Sequence, residues 1–306
     1  MDKNHCDLFN PHREKRREIA ENIERLCPSI SRFSIGKSIL GENIDTYRIG
    51  EGKRNILLVG AHHGSEHITS SVLYYFLLKI GSEREKNYGI DSGIYRKIYS
   101  LFVVPMLNPD GVELSVRGEY ENPLKERQKR IAGGEDFTHW QANARGTDLN
   151  HNYSYGFEEY KRIEKSKGIL PGMTRYSGEY PESEPESRAL ANLVRSVQFS
   201  LVVSLHSQGG EIYAFPKTSC ENEVSGSVSR TSERLSRWLA GKLGYEIKIP
   251  TGTAAYGGFC DYTGEVLRIP SLTLEIGRGE NPLPESEYYR ERDKLTEALY
   301  LLPTKI

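Results

Sequence analysis

The segment His62-His63-Gly64-Ser65-Glu66-His67 puts three imidazoles and a carboxylate within six residues. It follows Asn55-Ile56-Leu57-Leu58-Val59-Gly60, an apolar run that reads as a buried strand. A His on the loop leaving a strand and a Glu three residues later, opening the next helix, can share one divalent cation. His63 and Glu66 have that spacing. Two further pairings are four apart, as on one helical face: His63 with His67, and His62 with Glu66. A hydrogen-bonded surface cluster would have the same composition. The His-Glu-x-x-His helix of many metalloproteases is absent.

A third ligand must come from elsewhere, and the chain has eight His. Leu201-Val202-Val203-Ser204-Leu205-His206 is an apolar run ending in His, broken at once by Ser207-Gln208-Gly209-Gly210. A catalytic zinc takes three protein ligands and keeps a fourth position for water, so His63, Glu66 and His206 would make a two-His, one-Glu site. Pro270-Ser271-Leu272-Thr273-Leu274-Glu275-Ile276-Gly277 reads as another strand with a carboxylate at its end. Burying an unpaired carboxylate is costly. Glu275 is therefore either a general base or the partner of a cation such as Arg278.

These residues need elements to hold them. Periodicity predicts a helix over 66–80, with Ile68, Val72, Tyr75 and Phe76 on one stripe and Gly81 as its stop. Further helices are expected over 11–26, 184–197, 223–243 and 285–302, and strands over 55–60, 101–107, 200–206 and 270–276. Ser183-Glu184-Pro185-Glu186 reads as a capping box, with Ser183 as N-cap and Glu186 reaching back. The alternation implies an α/β fold, a mostly parallel sheet with helices on both faces. Ligands gather at the carboxyl ends of such strands, which is where His63, His206 and Glu275 fall.

Composition bounds the function classes. The chain of 306 residues can bury a full core, and its net charge of -1 gives no hint of nucleic acid. No run of 18 apolar residues suggests a membrane span, and residues 1–15 lack the apolar core of a secretory signal, so the expectation is a cytoplasmic protein. Cys6, Cys27, Cys220 and Cys260 are few and irregularly spaced, which fits free thiols. Cys260, close to the site in sequence, reads as a buried structural thiol rather than a catalytic one.

The ordered set His-x-x-Glu, Asn108-Pro109-Asp110-Gly111, His206 and Glu275 resembles the zinc carboxypeptidase (funnelin) family, over about 36–284. The resemblance implies a mixed twisted sheet flanked by helices, in a single zinc peptidase domain over 1–306 with a helical N-terminal extension over 1–30. It also implies one zinc per chain on His63, Glu66 and His206, and Glu275 as the base that takes a proton from water and returns it to the leaving amine. Asp148-Leu149-Asn150-His151-Asn152 stands where the family has Asp-x-Asn-Arg-Asn, so Asn150 and His151 become substrate-binding candidates.

Three departures bear on substrate. The family's oxyanion Arg is matched by Gln141, with Arg145 as a nearby substitute or a turn brace. His151 replaces the Arg that grips a terminal carboxylate, and a His cannot copy the two-pronged fork. Thr253 stands at the family's mobile Tyr, with Tyr256 close by as a hydroxyl source or a packing residue.

The text around 140–150, 175–181, 206–209 and 275–279 is similar to the bacterial γ-D-glutamyl-L-diamino acid peptidase branch. That implies hydrolysis between γ-linked D-Glu and diaminopimelate in a small cell-wall peptide, whose carboxylates Arg145, His151 and Arg278 would bind. The sequence contains no wall-binding repeats, so a soluble muropeptide is the expected partner, with neither nucleic acid nor membrane. The alternatives are a general metallocarboxypeptidase and an N-acyl amino acid amidohydrolase.

Overall fold

The computed structural model describes residues 7–82, 85–215, 223–249 and 256–306. Its strands run in chain order as β1 (Ile30–Lys37), β2 (Asn43–Ile49), β3 (Arg54–Val59), β4 (Lys86–Asn87), β5 (Ile90–Asp91), β6 (Tyr99–Val104), β7 (Phe199–His206), β8 (Glu211–Phe215), β9 (Glu246–Lys248) and β10 (Ser271–Glu275). β4 and β5 form a small hairpin, and the others make one sheet of eight strands in the order β1-β2-β6-β3-β7-β10-β8-β9. Four of its seven pairings are parallel, β6–β3, β3–β7, β7–β10 and β8–β9, which gives the expected mixed, mostly parallel sheet.

The helices are α1 (Arg13–Leu26), α2 (Ile68–Gly81), α3 (Ser92–Ile98), α4 (Pro109–Arg117), α5 (Lys125–Ala132), α6 (Phe157–Lys167), α7 (Pro185–Ser196), α8 (Glu223–Leu243), α9 (Phe259–Asp261) and α10 (Glu285–Leu301). Successive strand side chains point to opposite faces. Ile56, Leu58, Leu205 and Leu274 therefore pack with Ile19, Val72, Leu239 and Leu295 of α1, α2, α8 and α10. Leu57, Val59 and Val202 pack the other way, onto Leu190 and Val194 of α7 and Phe259 of α9. The same alternation turns His206 and Glu275, one residue on from Leu205 and Leu274, toward the α7 and α9 face.

Several expectations are corrected. Residues 64–66 form a turn of 3-10 helix, and α2 begins at Ile68 with His67 as its N-cap. That helix carries no amphipathic stripe, because every residue from Ile68 to Leu77 is buried between the sheet and the layer of α1 and α10. Burying such apolar side chains contributes about 1.5–3 kcal/mol each, so tertiary packing holds this helix on all sides. The capping box does not form. Glu184 is the N-cap of α7, Ser183 Oγ donates to Glu184 Oε1 at 3.0 Å, and Glu186 Oε1 instead accepts the Ile39 N–H at 3.0 Å. The β1–β2 hairpin and β9 had no apolar run to reveal them, and that of β8 is only four residues, Ile212 to Phe215. β9 is exposed throughout and β1 is buried only at Ile30.

Two buried carboxylates pin the turn between β1 and β2. Asp110 accepts the Ser38 hydroxyl and the Leu40 N–H, both at 2.9 Å, while Glu186 holds Ile39. Burial pushes Asp110 up to about 6. Burial, with Asp110 beside it, pushes Glu186 up to about 8. A carboxyl whose folded value exceeds its unfolded value contributes stability that is complete below the unfolded value and lost as pH rises through the folded one. Melting temperature should therefore fall between about pH 5 and about pH 8, with Glu186 accounting for on the order of a few kcal/mol. Glu186→Gln should flatten that slope in thermal melts, and an unchanged slope would place the dependence elsewhere.

Candidate metal centre

The backbone presents His63 under local constraint. Ala61 sits in the left-handed region (φ 45°), its N–H held by Thr69 Oγ1 at 2.8 Å and its carbonyl by the Asn108 N–H at 3.0 Å. Asn108 caps α4 through Gly111, and its amide donates to the carbonyls of His62 and Ala142. A Cβ on Gly64 would collide with the Gly111 and Trp140 carbonyls, so this close approach of loops requires glycine.

One carboxylate faces two imidazoles. His63 Nδ1 lies 2.8 Å from Glu66 Oε1, and His206 Nδ1 lies 3.0 Å from Glu66 Oε2, which also accepts the Ser207 N–H at 3.2 Å. The three ligand atoms fall within 4.8 Å of one another, and among the described residues they are the one such His, Cys, Asp and Glu group. Two imidazole nitrogens and a carboxylate oxygen are a donor set suited to a catalytic zinc with an open position. Burial pushes the Glu66 carboxyl up, but His63 and His206 outweigh it and hold it at about 2. The anion a cation requires is thus built in.

The alternative pairings are turned away. His62 Nε2 meets the Tyr153 hydroxyl and its Nδ1 the Ser204 hydroxyl, both at 3.3 Å. His67 packs edge-on against Phe9, and burial pushes it down to about 4.

Asp148 completes the environment, although sequence reasoning gave it no role beyond its place in a motif. Its Oδ1 is 3.0 Å from His63 Nε2, and its Oδ2 accepts the Arg175 N–H at 2.9 Å. Burial opposes ionisation, yet His63 and His151 hold this carboxyl well below its ordinary range. A carboxylate on the far nitrogen fixes the tautomer, leaving Nδ1 free to face Glu66. Asp148→Asn should weaken zinc binding roughly 10–100-fold, read by competition with a chelator. Unchanged affinity would make Asp148 a brace for the Arg175 turn alone.

Glu275 stands one strand over, paired in register with His206, and half buried. Burial first, then Glu66, pushes its carboxyl well up. The alternative ion pair with Arg278 is not made. Arg278 is exposed, its guanidinium lies beside Gly210 and its N–H donates to Glu287.

A cleft of about 200 Å³ opens over these groups, lined by His63, His206 and Glu275 together with Asn150, His151, Tyr213, Phe215, Tyr256, Cys260, Asp261 and Thr273. Asn150 Oδ1 accepts the Phe259 N–H at 3.0 Å. His151 stacks on Tyr160 with ring centroids 4.0 Å apart, and its Nδ1 lies 3.0 Å from the Tyr256 carbonyl, which obliges that nitrogen to carry the proton. Burial lowers the His151 pKa, against the pull of Asp148. Its other ring nitrogen, Nε2, is not engaged by that contact, and the ring lines the cleft, where a substrate-binding residue would stand. Arg145 does not reach the cleft. It pairs with Glu184 at 3.1 Å and lines a separate depression with Arg127 and Tyr176. Gln141, at the family's Arg position, accepts the Thr174 hydroxyl. Cys27 and Cys260 are buried, the Cys260 thiol donating to the Leu272 carbonyl at 3.4 Å, while Cys6, Cys220 and Thr253 lie outside the described residues. Among the described residues no lysine or arginine lines the cleft.

Comparison with known proteins follows the same lines. The profile of a family described as zinc carboxypeptidase matches residues 17–298. A γ-D-glutamyl-L-diamino acid endopeptidase 1 from Lysinibacillus sphaericus is 32% identical over 276 residues, 88% of this chain and 66% of its own length. Mouse carboxypeptidase D is 26% identical over 91% of this chain and 22% of its own. The chain thus spans just under two thirds of the first relative and about a fifth of the second. Among solved structures, thrombin activatable fibrinolysis inhibitor superposes with a TM-score of 0.73 at 18% identity, covering 99% of this chain and 79% of that one. The murein-tripeptide amidase MpaA from Escherichia coli O157 gives 0.53 at 20%, covering 89% and 91%. Both likenesses are in fold.

Proposed function

This chain belongs to the zinc carboxypeptidase family, and from that premise we propose that it hydrolyses the amide bond between γ-linked D-glutamate and a diamino acid in small cell-wall peptides. The observation that carries the chemistry is Glu66 held between two Nδ1 atoms with Glu275 on the adjoining strand. His63, Glu66 and His206 would hold the zinc. When bound, the ion supplies Lewis acidity that lowers the pKa of water toward neutrality and polarises a carbonyl. Glu275 takes the proton of the attacking water on its carboxylate and passes it to the departing amine nitrogen. Asp148 keeps the His63 ring oriented throughout.

The choice of bond rests on two supports. The relative from Lysinibacillus carries that activity in its name. Among the described residues the cleft also lacks the arginine fork that a terminal α-carboxylate would need, since His151 stands at that position. No described helix is long and apolar enough to cross a membrane. The test is kcat/KM on L-Ala-γ-D-Glu-diaminopimelate, on α-linked L-peptides of equal length and on N-acyl amino acids. Preference for the γ-linked peptide is expected. Rapid trimming of α-linked peptides without γ-cleavage would return the chain to general carboxypeptidase activity, and turnover of N-acyl amino acids alone to an amidohydrolase.

A further inference from the structure

The cleft is acidic where β10 meets β8. β10 and β8 run antiparallel with Glu275 directly opposite Glu211, and β8 places Glu211, Tyr213 and Phe215 on one face, where the last two line the cleft. Side chains directly opposite across two strands lie about 4.5–5.5 Å apart at Cβ, and like charges there are destabilising. Two half-buried carboxylates therefore share a position that favours a cation between them. Tyr213, which lines the cleft, donates its hydroxyl to Glu211 Oε2 at 2.6 Å and so orders that carboxylate beside the cleft. Lys248 on β9 acts on Glu211 only through space, its ammonium being bound to Glu246. Glu246, the register partner on β9, is itself acidic and takes up Lys248 at 2.7 Å, and Arg278 lies over Gly210 without pairing to Glu211. Among the described residues Glu211 has no ion pair, and no lysine or arginine lines the cleft.

We propose that Glu211, ordered by Tyr213, is the specificity residue that receives the side-chain ammonium of the substrate's diamino acid. The inference rests on the reading of the bond given above and adds the group that recognises its second amine. A charge-assisted contact to an ammonium strengthens binding when both partners are shielded from water, and here Glu211 is half buried beside an aromatic ring.

The test compares L-Ala-γ-D-Glu-L-Lys with the same peptide ending in L-norleucine, which keeps the aliphatic stem and loses the ammonium. Wild type should favour the lysine peptide by on the order of tenfold in kcat/KM, carried mainly by KM, the scale of one charge-assisted hydrogen bond. Glu211→Gln should bring that ratio to within about twofold, and Tyr213→Phe should lower it part way. Calorimetric binding of both peptides to Glu275→Gln protein gives the same comparison without turnover. A wild-type ratio near one, equal losses on both peptides in Glu211→Gln, or binding of neither peptide would overturn the proposal. If γ-linked peptides are left uncut while α-linked ones are trimmed, the reading of the bond fails. A lysine-over-norleucine preference at the C-terminus of the α-linked peptides, lost in Glu211→Gln, then still supports ammonium recognition, and its absence overturns it.

Discussion

Glu275→Gln protein is expected to keep its fold and its zinc while turnover falls by on the order of 10²–10⁴, the contribution of a placed proton-transfer group. The substitution is nearly isosteric and removes only the capacity to carry the proton. Glu275 has no ion pair among the described residues, and burial with Glu66 nearby already disfavours its charge. Loss of the carboxylate should therefore leave the melting temperature level or raised. Steady-state kinetics beside a thermal melt and a metal assay separate the outcomes. Near wild-type turnover would move the base elsewhere, and a large loss of stability would make Glu275 a structural residue of β10.

His206→Ala and His63→Ala are expected to lose zinc and activity together. Each removes one of two imidazoles facing a single carboxylate, and two remaining donors make a poor site for a metal that takes three protein ligands. The loss in affinity should exceed the roughly 10–100-fold expected of an outer partner such as Asp148. His63 is the cleaner position, because it is half buried while His206 is buried and stacked on His62 with centroids 5.2 Å apart. Stoichiometric zinc in both variants, by elemental analysis after dialysis, would remove these residues from the site.

The central strands were legible because buried strands write themselves as apolar runs, and two of those runs ended in a residue that apolar burial would exclude. His206 and Glu275 stood out for that reason, and the pairing of β7 with β10 brings them into register. What failed to show depends on partners remote in sequence. The proton on His151 is committed to a carbonyl 105 residues away, and Arg145 is drawn off by Glu184, 39 residues on. Neither commitment has a local signature. β8 escaped notice because its apolar run, Ile212 to Phe215, is only four residues long, with Tyr213 and Phe215 lining the cleft. Glu186 followed the capping-box spacing, yet the hairpin turn at Ile39 offered its carboxylate a buried N–H that the sequence could not foretell.

Anomalous diffraction at the zinc edge from crystals of the wild-type protein tests the central claim most directly. One peak per chain, bounded by His63, Glu66 and His206 and facing Glu275, is the result this arrangement predicts. A zinc-loaded crystal with no peak among those three side chains, or with its peak on other residues, would contradict it.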